Sequence, residues 1–177
     1  IAKRGFEVVG IDTNKKIVEM INNRECPIEE PGLSEIITDK SIRLSATTNY
    51  SSIKSCDVII ITVGTPLGEN FDPDNTQIKS AISEICKYLN EEQLIILKST
   101  VPPMTTEKMV SEAIKSNKGF ANPLVAFCPE RLAEGNALFE FENIPVVVGG
   151  VNNKSGLMAS IFWEEILGIK TIILENS

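Results

Sequence analysis

Two glutamates, Glu130 and Glu134, bracket Arg131 and Leu132 directly after the apolar run Leu124-Val125-Ala126-Phe127. A carboxylate pair at a strand tip can divide acid–base work, with burial raising the pKa of one member toward neutrality. Arg131 adds a fork of donors that suits a phosphate or carboxylate. A strand that only packs has no need of three ionisable groups at its end. The same Glu-Arg-x-x-Glu pattern also suits a solvated turn with an internal salt bridge.

A second candidate stretch is Lys98-Ser99-Thr100-Val101-Pro102-Pro103, which follows the apolar run 94–97. Thr100 can position a water or a substrate hydroxyl, although an alcohol of such high pKa is no base unaided. A Ser-Thr pair can also cap a helix, but Thr105 and Thr106 are better placed to cap the one that follows. Val63-Gly64-Thr65-Pro66 ends another apolar run. Gly64 lets backbone approach a ligand closely and Thr65 offers a hydroxyl; an ordinary Gly/Pro turn reads the same way. Asp12 ends the run 7–11. In a dinucleotide-binding fold an acid there accepts hydrogen bonds from the adenosine ribose and would repel a 2′-phosphate, favouring NAD over NADP. It can equally be a loop aspartate that caps the next helix. No arginine follows it closely, in keeping with NAD.

The elements that must hold these residues alternate. Apolar runs predict strands over 7–12, 42–48, 57–63, 94–98, 124–128, 145–148 and 171–174. Helical spacing predicts helices over 15–23, 33–37, 76–89, 105–116, 136–141 and 155–167, and a polar loop over 64–74. Residues 1–4 read as a last helical turn stopped by Gly5. This order predicts an α/β fold: a doubly wound, mostly parallel, Rossmann-like sheet. The run 58–61 should be covered on both faces. Leu157, Ile161 and Trp163 should turn partly inward. The phenylalanines at 139–141 read as core or domain contact, and Glu29-Glu30 and Glu164-Glu165 as solvated faces.

The glycine fingerprint of a dinucleotide site belongs about 20 residues before the ribose acid. Only 11 residues precede Asp12. The expectation is a sheet truncated at its amino end, without its first strand and glycine-rich loop, which leaves two strand edges unpaired. A start at Ile-Ala-Lys-Arg-Gly, without methionine, suggests a fragment.

Composition sets the outer limits. A chain of 177 residues supports one domain with a core. The net charge of −7 gives no overall field to attract nucleic acid or anionic lipid. No apolar stretch reaches the length of a membrane span, and no signal peptide is visible. The four cysteines form no CxxC pair and histidine is absent, which argues against a zinc site and for no bound metal. Cys56 and Cys86 read as small buried hydrophobes, and a packing role suits Cys128. Free thiols of this kind fit a reducing cytoplasm.

Taken in order, these stretches resemble the UDP-glucose/GDP-mannose dehydrogenase family. They run from Val9-Gly10-Ile11-Asp12 through Ile21-Asn22-Asn23, Pro27-Ile28 and Glu30-Pro31-Gly32-Leu33. They continue with 62–67, Lys98 to Pro103 and Thr105-Thr106-Glu107, and end with Cys128 to Leu138 and Val148-Gly149-Gly150. Each piece is weak alone and the ordered set is specific. The resemblance implies NAD-dependent, four-electron oxidation of a UDP-sugar 6-hydroxyl to the carboxylate, for polysaccharide precursor synthesis. Pro129-Glu130-Arg131 looks more like members that act on UDP-N-acetylmannosamine or related acetamido sugars; UDP-glucose members more often carry phenylalanine after Pro-Glu.

The resemblance also implies roles. Asp12 would hold the ribose, and Val63, Thr65 and Pro66 would line the cofactor cleft. Ser99 and Thr100 would lie near the nicotinamide, with Thr100 close to the reacting centre. Glu130 would serve acid–base chemistry in thioester hydrolysis and contact substrate. Glu134 would contact cofactor or substrate, and Arg131 and Leu132 the sugar nucleotide. Residues 1–177 would be part of the NAD-binding domain. The central helical and carboxyl-terminal UDP-sugar domains, with the nucleophilic cysteine and a lysine, would lie elsewhere, so these residues alone should be inactive. Full-length members are commonly homodimers. Two departures stand out: Ile17 where many members have a basic residue, and Met104 where the Pro-Pro-Gly-Thr-Thr motif has glycine. A UDP-glucose dehydrogenase, a two-electron hydroxyacid dehydrogenase and a non-catalytic nucleotide-binding module remain as alternatives.

Overall fold

The structure, a computed structural model, describes residues 1–68 and 72–174. Residues 69–71 of the expected loop 64–74 lie outside the described residues. The chain forms two compact units: residues 1–52 with 131–144, and residues 53–130 with 145–177.

The first unit is built on two parallel strands, β1 (Val8–Ile11) and β2 (Leu44–Thr47), in the register Val8↔Leu44 to Ile11↔Thr47. Before β1, a 3₁₀ turn at Ala2–Arg4 ends on Gly5 at φ 87°, a left-handed stop that glycine takes without a Cβ penalty. Helix α1 (Lys15–Asn22) starts on Asn14, whose side chain accepts the Lys16 amide. Its last residue pins it to β2: the Asn22 side-chain amide donates to the Ala46 carbonyl at 2.9 Å and its oxygen accepts the Ala46 N–H at 2.8 Å. Helix α2 is Leu33–Thr38.

The second unit carries a five-stranded sheet in the order β3 (Val58–Ile61), β4 (Leu94–Leu97), β5 (Val125–Phe127), β6 (Val146–Gly150), β7 (Thr171–Leu174). Strands β3, β4 and β5 are parallel, β5 and β6 antiparallel, β6 and β7 parallel. Helix α3 (Thr76–Tyr88) buries Ile78, Ala81, Ile82 and Ile85, the face its spacing predicts. The helix expected over 105–116 opens as a π-helical turn, Thr106–Ser111, and continues as α4 (Glu112–Lys118). Thr105 does not cap it. Its backbone is already helical and its hydroxyl donates back to the Pro102 carbonyl at 2.7 Å.

All four residues of β4 are buried. Successive strand residues point to opposite faces, so both faces of the sheet are covered there. The expectation for 58–61 fails in part. Only Ile61 is buried, because β3 is an edge of this sheet with β4 as its one partner among the described strands. β1 likewise pairs on one side only.

Helix α5 (Ala137–Asn143), in the first unit, leaves Phe139 exposed rather than in a core. In α6 (Asn153–Ile161) and the π-helical turn Phe162–Ile166, Leu157 and Ile161 are exposed, against expectation, while Trp163 is buried. The inward face is made of small residues, Ser155, Gly156, Ala159 and Ser160. They let the helix lie close on β6: a Cβ built on Gly150 would come within 2.3 Å of the Gly156 nitrogen. Close approach overrode apolarity in choosing which residues face the sheet.

Candidate functional site

Parallel pairing of β3, β4 and β5 brings their carboxyl ends to one edge of the second unit. The ladder continues past the strands. Lys98 N–H donates to the Ile61 carbonyl at 2.9 Å, Cys128 N–H to Leu97 at 2.9 Å, and Glu130 N–H to Lys98 at 3.0 Å. Side chains add two further ties. The Ser99 hydroxyl donates to the Val63 carbonyl at 2.7 Å, and the Thr65 hydroxyl donates to the Thr100 carbonyl at 2.7 Å. Val63, Thr65, Ser99, Thr100 and Glu130 thus share one edge, as the sequence implies. The Thr65 proton is spent on backbone, so toward a ligand Thr65 offers lone pairs and a methyl group. Pro66 follows it, exposed.

Thr100 and Glu130 are exposed at this edge, while Ser99 and Lys98 are buried. Lys98 lies at the same edge, and its sequence context alone gave it no role. Its ammonium lies 3.2 Å from a carboxylate oxygen of Glu130 and 5.2 Å from the centre of the Trp163 ring. A single signal pointed to it: a charge closing the unbroken apolar run Leu94-Ile95-Ile96-Leu97. Beneath the pair, the Trp163 indole N–H donates to Cys128 Sγ at 3.4 Å. Burial pushes the Cys128 thiol up to about 11, against smaller downward pulls from the Trp163 hydrogen bond and the Lys98 charge. A thiol so held is protonated at neutral pH and serves packing.

The other predicted residues belong to the first unit. Asp12 follows β1, exposed, and extends the ladder by donating its N–H to the Thr47 carbonyl. One carboxylate oxygen accepts the Asn14 N–H at 2.8 Å. Arg131 and Glu134 are exposed and Leu132 is half-buried. Their segment is held from two sides. Glu30 accepts the N–H groups of Gly135 and Ala137, and Glu140 accepts that of Ala133. Glu30 is therefore half-buried and bonded, which corrects its reading as a solvated face. Glu164 is exposed, but its carboxylate accepts from the Thr171 hydroxyl and N–H, and these hydrogen bonds lower its pKa.

A surface depression of about 980 Å³ opens in the second unit at the opposite ends of β4 and β5, beside Glu91, Glu92, Asn122 and Lys154. It holds none of the predicted site residues. Open α/β sheets bind ligands at the carboxyl ends of their strands, which is where the hydroxyls and Glu130 lie. Among the described residues, no group of three or more His, Cys, Asp or Glu is placed to hold a metal ion. No described helix is long and apolar enough to cross a membrane.

A mostly parallel α/β sheet with hydroxyls and a carboxylate at its strand tips defines the class of Rossmann-like dinucleotide-binding domains. The chain belongs to the UDP-glucose/GDP-mannose dehydrogenase family: the model of that family's NAD-binding domain matches residues 1–167. A UDP-N-acetyl-D-mannosamine dehydrogenase of Methanococcus maripaludis is 37% identical over 181 residues, covering 100% of this chain and 41% of the relative. A UDP-glucose 6-dehydrogenase of Bacillus subtilis is 34% identical, covering 87% of this chain and 34% of the relative. Among solved structures, the UDP-N-acetyl-D-mannosamine dehydrogenase of Pyrococcus horikoshii superposes with a TM-score of 0.90 at 27% identity, over 99% of this chain and 43% of that one. The chain thus spans well under half the length of these relatives. NAD is the cofactor of the domain it matches.

Proposed function

We propose that the protein acts in NAD-dependent oxidation of a UDP-sugar 6-hydroxyl to the carboxylate, with UDP-N-acetylmannosamine as the substrate. The observation that carries this reading is the strand edge on which Thr100 and the Lys98–Glu130 pair sit, in a chain of this family. Relatives named for UDP-N-acetyl-D-mannosamine, and arginine after Pro129-Glu130, support the sugar.

The residues present fit the cofactor. Asp12 has a carboxylate oxygen available to a ribose hydroxyl, and its charge disfavours a 2′-phosphate. Val63, Thr65, Pro66, Ser99 and Thr100 would border the nicotinamide end. When bound, NAD supplies the hydride acceptor. Ser99 holds the shape of this border through the Val63 carbonyl. Thr100 would orient the substrate oxygen or a water, and Glu130 would take and return a proton in the hydrolytic half of the reaction. Arg131 and Leu132 would contact the sugar nucleotide, and Glu134 would contact substrate or cofactor. The proposal places the intact enzyme in the cytoplasm as a homodimer that feeds polysaccharide synthesis.

The test is to give the intact protein NAD⁺ and a panel of UDP-sugars. The expected result is NADH formation fastest with UDP-N-acetylmannosamine, at two NADH per sugar. No NADH with any UDP-sugar sinks the reading, and one NADH per sugar points instead to a two-electron dehydrogenase.

A further inference from the structure

Lys98 is a buried cation whose counter-charge is not buried. Its side chain is 9% exposed, whereas that of Glu130 is 41% exposed. Lysine is almost never buried without a partner, because an ammonium gives up its hydration on leaving water. If stability were the only requirement, an apolar side chain would follow β4 better than a buried ammonium. Nor does Glu130 need Lys98 for solvation, since water reaches it.

What the arrangement provides is a fixed position. The two residues are tied twice, by the backbone hydrogen bond from Glu130 N–H to the Lys98 carbonyl at 3.0 Å and by the ion pair at 3.2 Å. The ammonium sits over Trp163, at a distance where a cation is attracted to the ring face. Trp163 is held in turn by packing against Phe162, edge to face at 5.1 Å, and by its indole hydrogen bond to Cys128. Three elements therefore converge on one ammonium: the tip of β4 carries it, the tip of β5 carries its carboxylate, and the turn after α6 carries the ring beneath it.

We propose that Lys98 is a positioning residue: its ammonium, seated on Trp163, holds the Glu130 carboxylate in one place at the strand edge. This rests on the reading that Glu130 touches the reacting centre. A glutamate on the surface samples many rotamers, and a proton-transfer group works only within hydrogen-bond reach of its target.

Two measurements test it. In the intact protein, Lys98→Met should lower kcat about 100-fold while KM for the UDP-sugar stays within about threefold, the pattern of a lost transition-state interaction. Lys98→Arg should restore most of the rate. Adding Lys98→Met to Glu130→Gln should cost little more than Glu130→Gln alone, because both remove one device. Activity of Lys98→Met within about threefold of wild type, or losses that multiply in the double variant, overturns the proposal.

The second measurement is independent of turnover. Trp163 is the only tryptophan, so its emission reports this one ring. Glu130→Gln should shift its emission by releasing the ammonium above the ring, and that shift should vanish in a Lys98→Met background. An unchanged emission in Glu130→Gln refutes the linkage even in a protein that forms no NADH. Should Lys98→Met fail to fold, Lys98→Gln takes its place: the Glu130→Gln emission shift should vanish in that background too, and a shift that persists there refutes the linkage.

Discussion

The Glu30 carboxylate accepts two backbone N–H groups, Gly135 and Ala137, each at 2.8 Å. One half-buried side chain thereby ties the loop before α2 to the segment that carries Arg131, Leu132 and Glu134. On the other flank, Glu140 accepts the Ala133 N–H at 2.7 Å and the Asn136 side-chain amide at 3.2 Å. Charge-assisted bonds of this kind are the stronger class of hydrogen bond.

Replacing Glu30 with alanine should therefore cost roughly 1–3 kcal/mol and free the segment 131–137. Urea unfolding and limited proteolysis read the two effects. Cleavage within 131–137 should speed up before any global loss of structure. Equal midpoints and equal cleavage in variant and wild type would show that these bonds hold nothing.

Gly150 and Gly10 make a contrasting pair. A Cβ at Gly150 would lie 2.3 Å from the Gly156 nitrogen and 2.6 Å from the Asn152 carbonyl oxygen, both backbone atoms. Overpacking of this kind costs about 1–3 kcal/mol or more. At Gly10 the nearest atoms are 3.8 and 3.9 Å away, ordinary contact distances. Alanine there should stabilise by about 0.5 kcal/mol through the unfolded chain. Thermal melts of Gly150→Ala and Gly10→Ala should move in opposite directions.

Met104 sits at φ 68°, a left-handed conformation that costs a non-glycine residue about 1–2 kcal/mol. It is exposed, so little burial is lost on truncation. Met104→Gly should raise stability by about 0.5–1 kcal/mol after glycine's greater chain entropy is counted. Met104→Ala, which keeps a Cβ, should give no such gain. Denaturant midpoints of the two variants separate backbone strain from side-chain loss.

Burial lifts the Cys128 thiol from an ordinary 9.0 to about 11. The folded state therefore keeps its proton where the unfolded state has lost it. The sign follows: this contribution is complete below pH 9 and fades as pH rises to about 11, by about 1.4 kcal/mol per pH unit. Cys128→Ala should flatten that alkaline fall in unfolding free energy, whatever it does to stability at neutral pH. Parallel stability–pH curves for variant and wild type would rule the thiol out as its cause. In the folded protein below pH 9, Cys128 should react with thiol reagents far more slowly than Cys26, which is half-buried.

Much of the fold was legible along the chain. Runs such as Leu94-Ile95-Ile96-Leu97 are apolar because a central strand meets neighbours on both faces, and that requirement acts on each residue locally. Helix α3 showed its buried face through spacing alone. The candidate site was legible as types of residue, since hydroxyls and acids stand where apolar runs stop. Helix α6 was misread because its sheet-facing side is chosen by size: Gly156 must pass Gly150, so the larger Leu157 and Ile161 face outward.

By itself the sequence determined the alternation of strands and helices, the residues at the strand tips and the family they resemble. Only the tertiary structure decided that β6 runs against β5, that Lys98 spends its charge on Glu130, and that Glu30 is an anchor. Each of these depends on which atoms meet across long stretches of chain, and a hydrogen bond or ion pair is selective over about an ångström. Composition and periodicity constrain which way a residue faces, whereas the partner it finds there is settled by packing.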